Sequence, residues 1–361
     1  MFNLIKHIKQ EFFTFSMGFF DKIKEAVVGK PELQFNDVHH VFLNTATQFE
    51  EGLKLTGQTI IPDAANLQHI TFVGMGGSMH PAFLLRTYLE NMQCKKQINL
   101  VRDYTIPAHI SKKGYLIVIS YSGNTAETIE AYRQAYREGF QMLVMTAGGK
   151  LQEAAEKNGT PLILLPKGYQ PRHSMYIMFG AVLQLMQNSG ILEKHEELFQ
   201  EAIRILKKDI FENMGKQIAE KIDTKTPLIY TTPKLGSVNQ RWKICFNENS
   251  KTHAFYNELP ELDHNELNAF ESREGNIHII FLVDEEETRL HKQRVSATKQ
   301  IIKDYGFTTT EIVIKGPSYL SRMLSAMSIG DWTTYYCAQH AGRDPLKVET
   351  IEKLKEILKG E

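Results

Sequence analysis

The chain reads as an α/β protein made of two units, each a mainly parallel sheet covered by helices on both faces. Three observations predict this. Short, almost unbroken apolar runs recur from residue 69 onward, helix-patterned segments separate most of them, and the same rhythm resumes after a strand-free interval that begins near residue 192. Strands that are apolar on both faces belong to parallel sheets buried on both sides.

The elements follow in order. Over the first sixty residues Phe12, Phe13, Met17, Phe20 and Ile23 recur at roughly helical spacing, and Val41, Phe42, Ala46 and Phe49 do so again. Strands are then predicted at 69–73, 97–101, 115–119, 141–145 and 161–165, with helices at 79–91 and 126–139. The charged stretch 192–222 is helical and holds no strand. Further strands are expected at 227–230, 276–283 and 310–314, helices at 286–305 and 318–338, and a last amphipathic helix at 348–358. The predicted organisation is a helical extension (1–60), a first α/β domain (61–190), a helical connector (191–225) and a second α/β domain with the final helix (226–361). The shared architecture of the two halves suggests an old duplication.

Composition narrows the function. Lys and Arg together number 42, as do Asp and Glu, so no global field favours nucleic acid or an acidic membrane. A hydrophobic share of 42% with 23% charged residues fits a soluble globular protein. Cys94, Cys245 and Cys337 are far apart and form no C-x-x-C pair, so neither a disulfide framework nor a cysteine-rich zinc site is expected. His39 and His40 are adjacent and no H-E-x-x-H occurs, which disfavours a zinc enzyme. The first twenty residues are interrupted by Lys6, Lys9, Gln10 and Glu11, unlike a signal peptide. No stretch approaches a membrane span, and a cytoplasmic location is expected.

Two strand-to-helix turns carry unusual chemistry. In Val73-Gly-Met-Gly-Gly-Ser-Met79, glycines let the backbone approach a ligand and leave N–H groups free at the next helix start. Met79 stands where a dinucleotide fingerprint needs its third glycine, and no G-K-[ST] follows, so neither a Rossmann fingerprint nor a Walker loop is present. In Ile119-Ser-Tyr-Ser-Gly-Asn-Thr-Ala-Glu-Thr128, Ser120, Ser122 and Thr125 place three hydroxyls around one turn, at the positive end of the following helix. One hydroxyl there would be an ordinary N-cap; three exceed that need.

Ser120-Tyr-Ser-Gly-Asn-Thr125 together with Gly76, Gly77 and Ser78 resembles the sugar isomerase (SIS) domain. Over about residues 69–355 the chain is similar to the bifunctional phosphoglucose/phosphomannose isomerases. The resemblance implies two SIS-type three-layer α/β/α domains with flavodoxin-like, mainly parallel sheets. It implies an aldose–ketose isomerase that converts glucose 6-phosphate, with mannose 6-phosphate as a second candidate substrate, to fructose 6-phosphate without metal or organic cofactor. The same signature occurs in regulators that only bind sugar phosphates, so it identifies the ligand class better than the reaction. A noncatalytic sensor, or an isomerase for an amino-sugar or pentose phosphate, is the alternative.

Such an isomerase must open the ring, move a proton between C1 and C2, and stabilise an enediolate. Arg172, in Gln170-Pro-Arg-His-Ser174, follows a strand and precedes an apolar helix, at the end of the sheet where ligands sit; the resemblance makes it the cation beside the enediolate. Glu248 lies among apolar Trp242, Ile244, Cys245 and Phe246, a setting suited to a proton shuttle; the resemblance makes it the base. His264, in Asp-His-Asn-Glu266, matches the family's ring-opening histidine, which comes from the neighbouring subunit and so implies a homodimer with shared sites. Lys355 matches a C-terminal lysine that approaches the ring oxygen. Asp344-Pro-Leu-Lys347 lacks the small hydroxyl residue the family carries there, a departure that bears on mannose as a second substrate.

Overall fold

The computed structural model describes residues 37–360, so the helical pattern at Phe12 to Ile23 lies outside the described residues. Two short helices open it, α1 (Val38–Leu43) and α2 (Thr45–Leu55), burying Val41, Phe42, Ala46 and Phe49 as their spacing predicts. Five strands follow: β1 (His69–Val73), β2 (Gln97–Val101), β3 (Tyr115–Ile119), β4 (Met142–Thr146) and β5 (Leu162–Leu164). They pair in parallel in the order β2-β1-β3-β4-β5. The helices among and after them are α3 (His80–Asn91), α4 (Ala126–Glu138), α5 (Gly149–Asn158) and α6 (Met175–Asn188).

The charged interval forms two helices, α7 (Glu196–Leu206) and α8 (Ile210–Ile222), which pack on α11 (Tyr319–His340); α7 also touches α2. The second sheet contains β6 (Thr226–Thr231), β7 (Phe255–Glu258), β8 (Ile277–Asp284) and β9 (Thr308–Ile314), all parallel in the order β7-β6-β8-β9. Helix α9 (Gly236–Glu248) joins β6 to β7, and α10 (Arg289–Asp304) joins β8 to β9; α12 (Glu349–Lys359) ends the described chain. Strand β7 is absent from the sequence-based expectation. It has four residues, Phe255 and Tyr256 are exposed, and pairing with β6 holds it, so no period-two burial marks it in sequence.

Alternation along each strand distributes side chains to two layers. Ile117 and Ile119 enter a large core while Leu116 and Val118 enter a second one beneath α4 and α5. On β8, Ile280 and Leu282 join that same large core, whereas Ile279 and Phe281 face a third one with Phe270 and Ile302. One continuous core thus lies between the two sheets. Helix α6, apolar nearly all round, runs through it with Ile177, Phe179 and Leu183 fully buried, as a helix without a solvent face must. Among the described residues no helix is long and apolar enough to cross a membrane.

Candidate active site

In the first sheet the strand order reverses direction between β1 and β3, the crevice where open α/β sheets take ligands. Both unusual turns stand there. Ser120 is fully buried at the end of β3 and its hydroxyl donates to Thr125 Oγ1 at 3.0 Å. Thr125 holds the N-cap position of α4 in extended conformation, but its side chain does not cap the helix, which leaves the first-turn N–H groups open. Thr128 Oγ1, in the same turn of helix, is buried without a partner. Ser122 is exposed at the rim, its hydroxyl accepting from Asn124 N at 3.3 Å. Gly123 has φ +65°, and a Cβ there would sit 1.7 Å from the Gly148 carbonyl oxygen, so the turn admits glycine only. Hydroxyls and open amides at a helix N-terminus form a cradle for an anion.

The glycine turn ties this cradle to the next group. Gly76–Met79 forms a 3-10 turn before α3, with Gly76 exposed and Ser78 buried. Ser78 Oγ accepts the Tyr121 N–H at 2.9 Å, joining the two turns. Gly77 lies flat on the segment Pro171–His173: a Cβ on it would come within 2.9 Å of both Arg172 N and Pro171 C.

Arg172 is 2% exposed, and its guanidinium is almost fully occupied by protein. Nε donates to Asn249 Oδ1 at 2.9 Å, Nη1 to Glu248 Oε2 at 3.3 Å, and Nη2 to the carbonyls of Pro345 and Leu346 at 2.7 and 2.9 Å. Burial pulls the Arg172 pKa down and the Glu248 carboxylate opposes it. Glu248 is the last residue of α9, and its side chain is 25% exposed, so this carboxylate meets the buried cation and keeps part of its surface open to solvent. Beside it Lys251 donates to the carbonyls of Glu248 and Asn249 at 3.0 and 3.2 Å and also to Asp344 O. Arg343 Nη1 donates in return to the carbonyls of Ser250 and Lys251 at 2.6 and 3.0 Å. Three cations therefore clasp the turn 343–346 onto the end of α9.

His264 and Lys355 are placed differently. His264 ends a 3-10 turn after β7 and is exposed. Its neighbours are committed elsewhere: Asp263 accepts from Arg294 and Thr298, and Glu266 from Tyr230 and Asn257. Lys355 is exposed on α12, a helix that also leaves Ile351, Leu354, Ile357 and Leu358 between 42% and 57% exposed. Among the described residues no hydrogen bond or ion pair links His264 or Lys355 to Arg172 and Glu248. The single chain thus joins the cradle, Gly77, Ser78, Arg172 and Glu248, and leaves His264 and Lys355 on the surface.

The second sheet has its own switch point, between β6 and β8, with opposite chemistry. Asp284 lies there, fully buried between Lys234 Nζ at 3.0 Å and Arg322 Nε at 2.8 Å, and Thr232 donates to Glu287. Here the charges of Asp284, Lys234 and Arg322 are paired with one another. Sequence reasoning missed Asn249, Lys251 and Arg343; the run Asn-Glu-Asn-Ser-Lys251 is a faint signal, since only the folded chain brings it against residue 343.

The architecture is that of the SIS fold. The solved C-terminal domain of glucosamine-fructose-6-phosphate aminotransferase from Francisella tularensis superposes with a TM-score of 0.67 at 13% identity, covering 86% of this chain and 98% of that one. Residues 211–358 match the model for the bacterial phospho-glucose isomerase C-terminal SIS domain. A bifunctional phosphoglucose/phosphomannose isomerase of Aquifex aeolicus is 36% identical over 305 residues, 84% of this chain and 94% of that protein. One from Caldicellulosiruptor bescii is 34% identical over 82% of this chain and 91% of its own length. The chain belongs to the bifunctional phosphoglucose/phosphomannose isomerase family.

Proposed function

We infer that the protein is an aldose–ketose isomerase that interconverts glucose 6-phosphate, and mannose 6-phosphate, with fructose 6-phosphate. The observation that carries this reading is the continuity of the site. Hydroxyls and amides for a phosphate lead through Ser78 and Gly77 to the buried cation Arg172 and the partly exposed carboxylate of Glu248 paired with it.

Ser120, Ser122 and Thr125 hold the phosphate, and Gly76, Gly77 and Ser78 line the sugar beside it. Glu248 takes the proton from C2 of the opened aldose and returns it to C1, while negative charge gathers on the two substrate oxygens of the cis-enediolate. Arg172 stabilises that charge as a nearby fixed cation, because four of its five N–H donors already go to protein oxygens. His264 opens the ring and Lys355 assists at the ring oxygen. Since both are exposed and apart from Glu248 in one chain, a second copy supplies His264 in a homodimer. The reading divides the chain at residues 60, 190 and 225 into an N-terminal extension, two SIS domains and a connector between them. It places the protein in the cytoplasm, where hexose phosphates are made and used.

The test is a coupled assay of the wild type and Glu248→Gln with glucose 6-phosphate and mannose 6-phosphate. Loss of the base costs two to four powers of ten, about 100-fold or more in kcat. A Glu248→Gln protein with full turnover refutes the assignment, and a wild type that binds but turns over neither sugar is a sensor.

A further inference from the structure

Asn249 has no part in the chemistry described so far, yet its side chain is among the most constrained near the site. It is fully buried directly after Glu248. Its Oδ1 accepts from Arg172 Nε at 2.9 Å and lies 3.3 Å from His173 Nε2. Its Nδ2 donates to Thr334 Oγ1 at 3.0 Å, and that hydroxyl donates to the Asp331 carbonyl at 3.0 Å. A guanidinium nitrogen can only donate, so the amide's oxygen must face Arg172 and its nitrogen Thr334. Burial, with Arg172 close by, keeps His173 well below its ordinary pKa and neutral, so Nε2 carries the proton it shares with Oδ1. The amide therefore has one orientation that serves its partners, with Oδ1 toward Arg172 and His173 and Nδ2 toward Thr334.

The consequence lies in the shape of arginine. A guanidinium is planar, so fixing Nε and one terminal nitrogen fixes the other. The carbonyls of Pro345 and Leu346 hold Nη2 from one side and Asn249 holds Nε from the other. What remains, Nη1, is thereby aimed at Glu248 Oε2. We propose that Asn249 is a positioning residue for the isomerisation: it sets the plane of the Arg172 guanidinium, and through it the carboxylate of Glu248. This inference rests on the reading of Glu248 as the base. Misplacing a base by an ångström slows proton transfer more than it weakens substrate binding.

The experiment compares wild type, Asn249→Ala, Thr334→Val and Glu248→Gln on glucose 6-phosphate carrying protium or deuterium at C2. For Asn249→Ala, kcat falls about tenfold or more, KM stays within about threefold, and the isotope effect on kcat/KM rises as proton transfer becomes limiting. Thr334→Val, which frees only the far side of the amide, moves the same quantities in the same direction by less. Should Asn249→Ala fail to fold, Thr334→Val decides alone by the same isotope effect. An unchanged isotope effect, with activity lost only in proportion to unfolded protein, overturns the proposal. So does a rise in KM at unchanged kcat. If Glu248→Gln retains turnover, the base assignment falls and this inference with it; if it is inactive while Asn249→Ala is normal, only the positioning role falls.

Discussion

Arg172 Nη1 stands 3.3 Å from Glu248 Oε2, with the guanidinium sealed from solvent and the carboxylate one quarter exposed. The asymmetry assigns each partner its part. The cation is held as part of the structure, and the carboxylate is the half open to solvent. Removing the cation therefore does more than remove a charge. Arg172→Met leaves Asn249 Oδ1, the carbonyls of Pro345 and Leu346, and Glu248 without their donor. Leaving buried acceptors without their donor costs about 1–3 kcal/mol each. Urea unfolding is expected to register a loss of that order; a loss under about 1 kcal/mol, the worth of an exposed pair, would contradict the clasp.

Thr125→Val keeps the size of the side chain and removes its hydroxyl, along with the acceptor for Ser120. A hydrogen bond to a charged group contributes about 1.5–3 kcal/mol, so KM for the sugar phosphate should rise about tenfold or more. The inhibition constant of inorganic phosphate should rise alongside it. Equal phosphate inhibition in the variant and the wild type would put the anion elsewhere.

His80 opens α3 directly behind the glycine turn and is wholly buried, its Nε2 without a partner. Burial, reinforced by the charge of Arg241, pushes its pKa down from 6.5 to about 3. Between those values the unfolded chain binds a proton that the folded chain refuses. Its contribution is complete above pH 6.5 and is lost as the pH falls toward 3, by about 1.4 kcal/mol per unit. His173 and His278 are shifted in the same direction, so the informative quantity is a difference. Urea midpoints measured between about pH 6 and 4 should fall less steeply for His80→Gln than for wild type. Parallel slopes would mean that His80 is solvated in the folded protein.

The proposed sharing of the site between two copies makes a prediction that one chain cannot satisfy. Glu248→Gln and His264→Ala should each be inactive alone. Mixed after mild dissociation, they form dimers in which one site carries both lesions and the other neither. Activity should return to about a quarter of wild type, the statistical share of intact sites. No recovery from a mixture that demonstrably exchanges subunits would place His264 and Glu248 in one chain's site or leave His264 outside the chemistry.

Much of this was legible before folding. The run ending at Ile119 is apolar on both faces and the run ending at Val73 departs from that only at His69 and Thr71, so they announce buried parallel strands, and the turns after them announce their own chemistry through Ser120, Thr125 and Gly77. Strand β7 was hidden because Phe255 and Tyr256 are exposed and its pairing with β6 is long-range. The clasp was hidden for a related reason: Arg172, Asn249 and Pro345 are each ordinary in sequence and meet only when three distant segments pack.

Most of the order of strands and helices, the glycine- and hydroxyl-rich turns and the residue types able to move a proton were properties of the sequence, because periodicity, glycine and hydroxyl content act within a few residues. Tertiary structure alone decided that Arg172 is spent on protein oxygens, that Glu248 stands half in and half out beside it, and that His264 and Lys355 lie outside its reach in one chain. Those outcomes depend on which backbone carbonyls and amides come within 3 Å of a side chain from far along the chain. No local pattern encodes that distance.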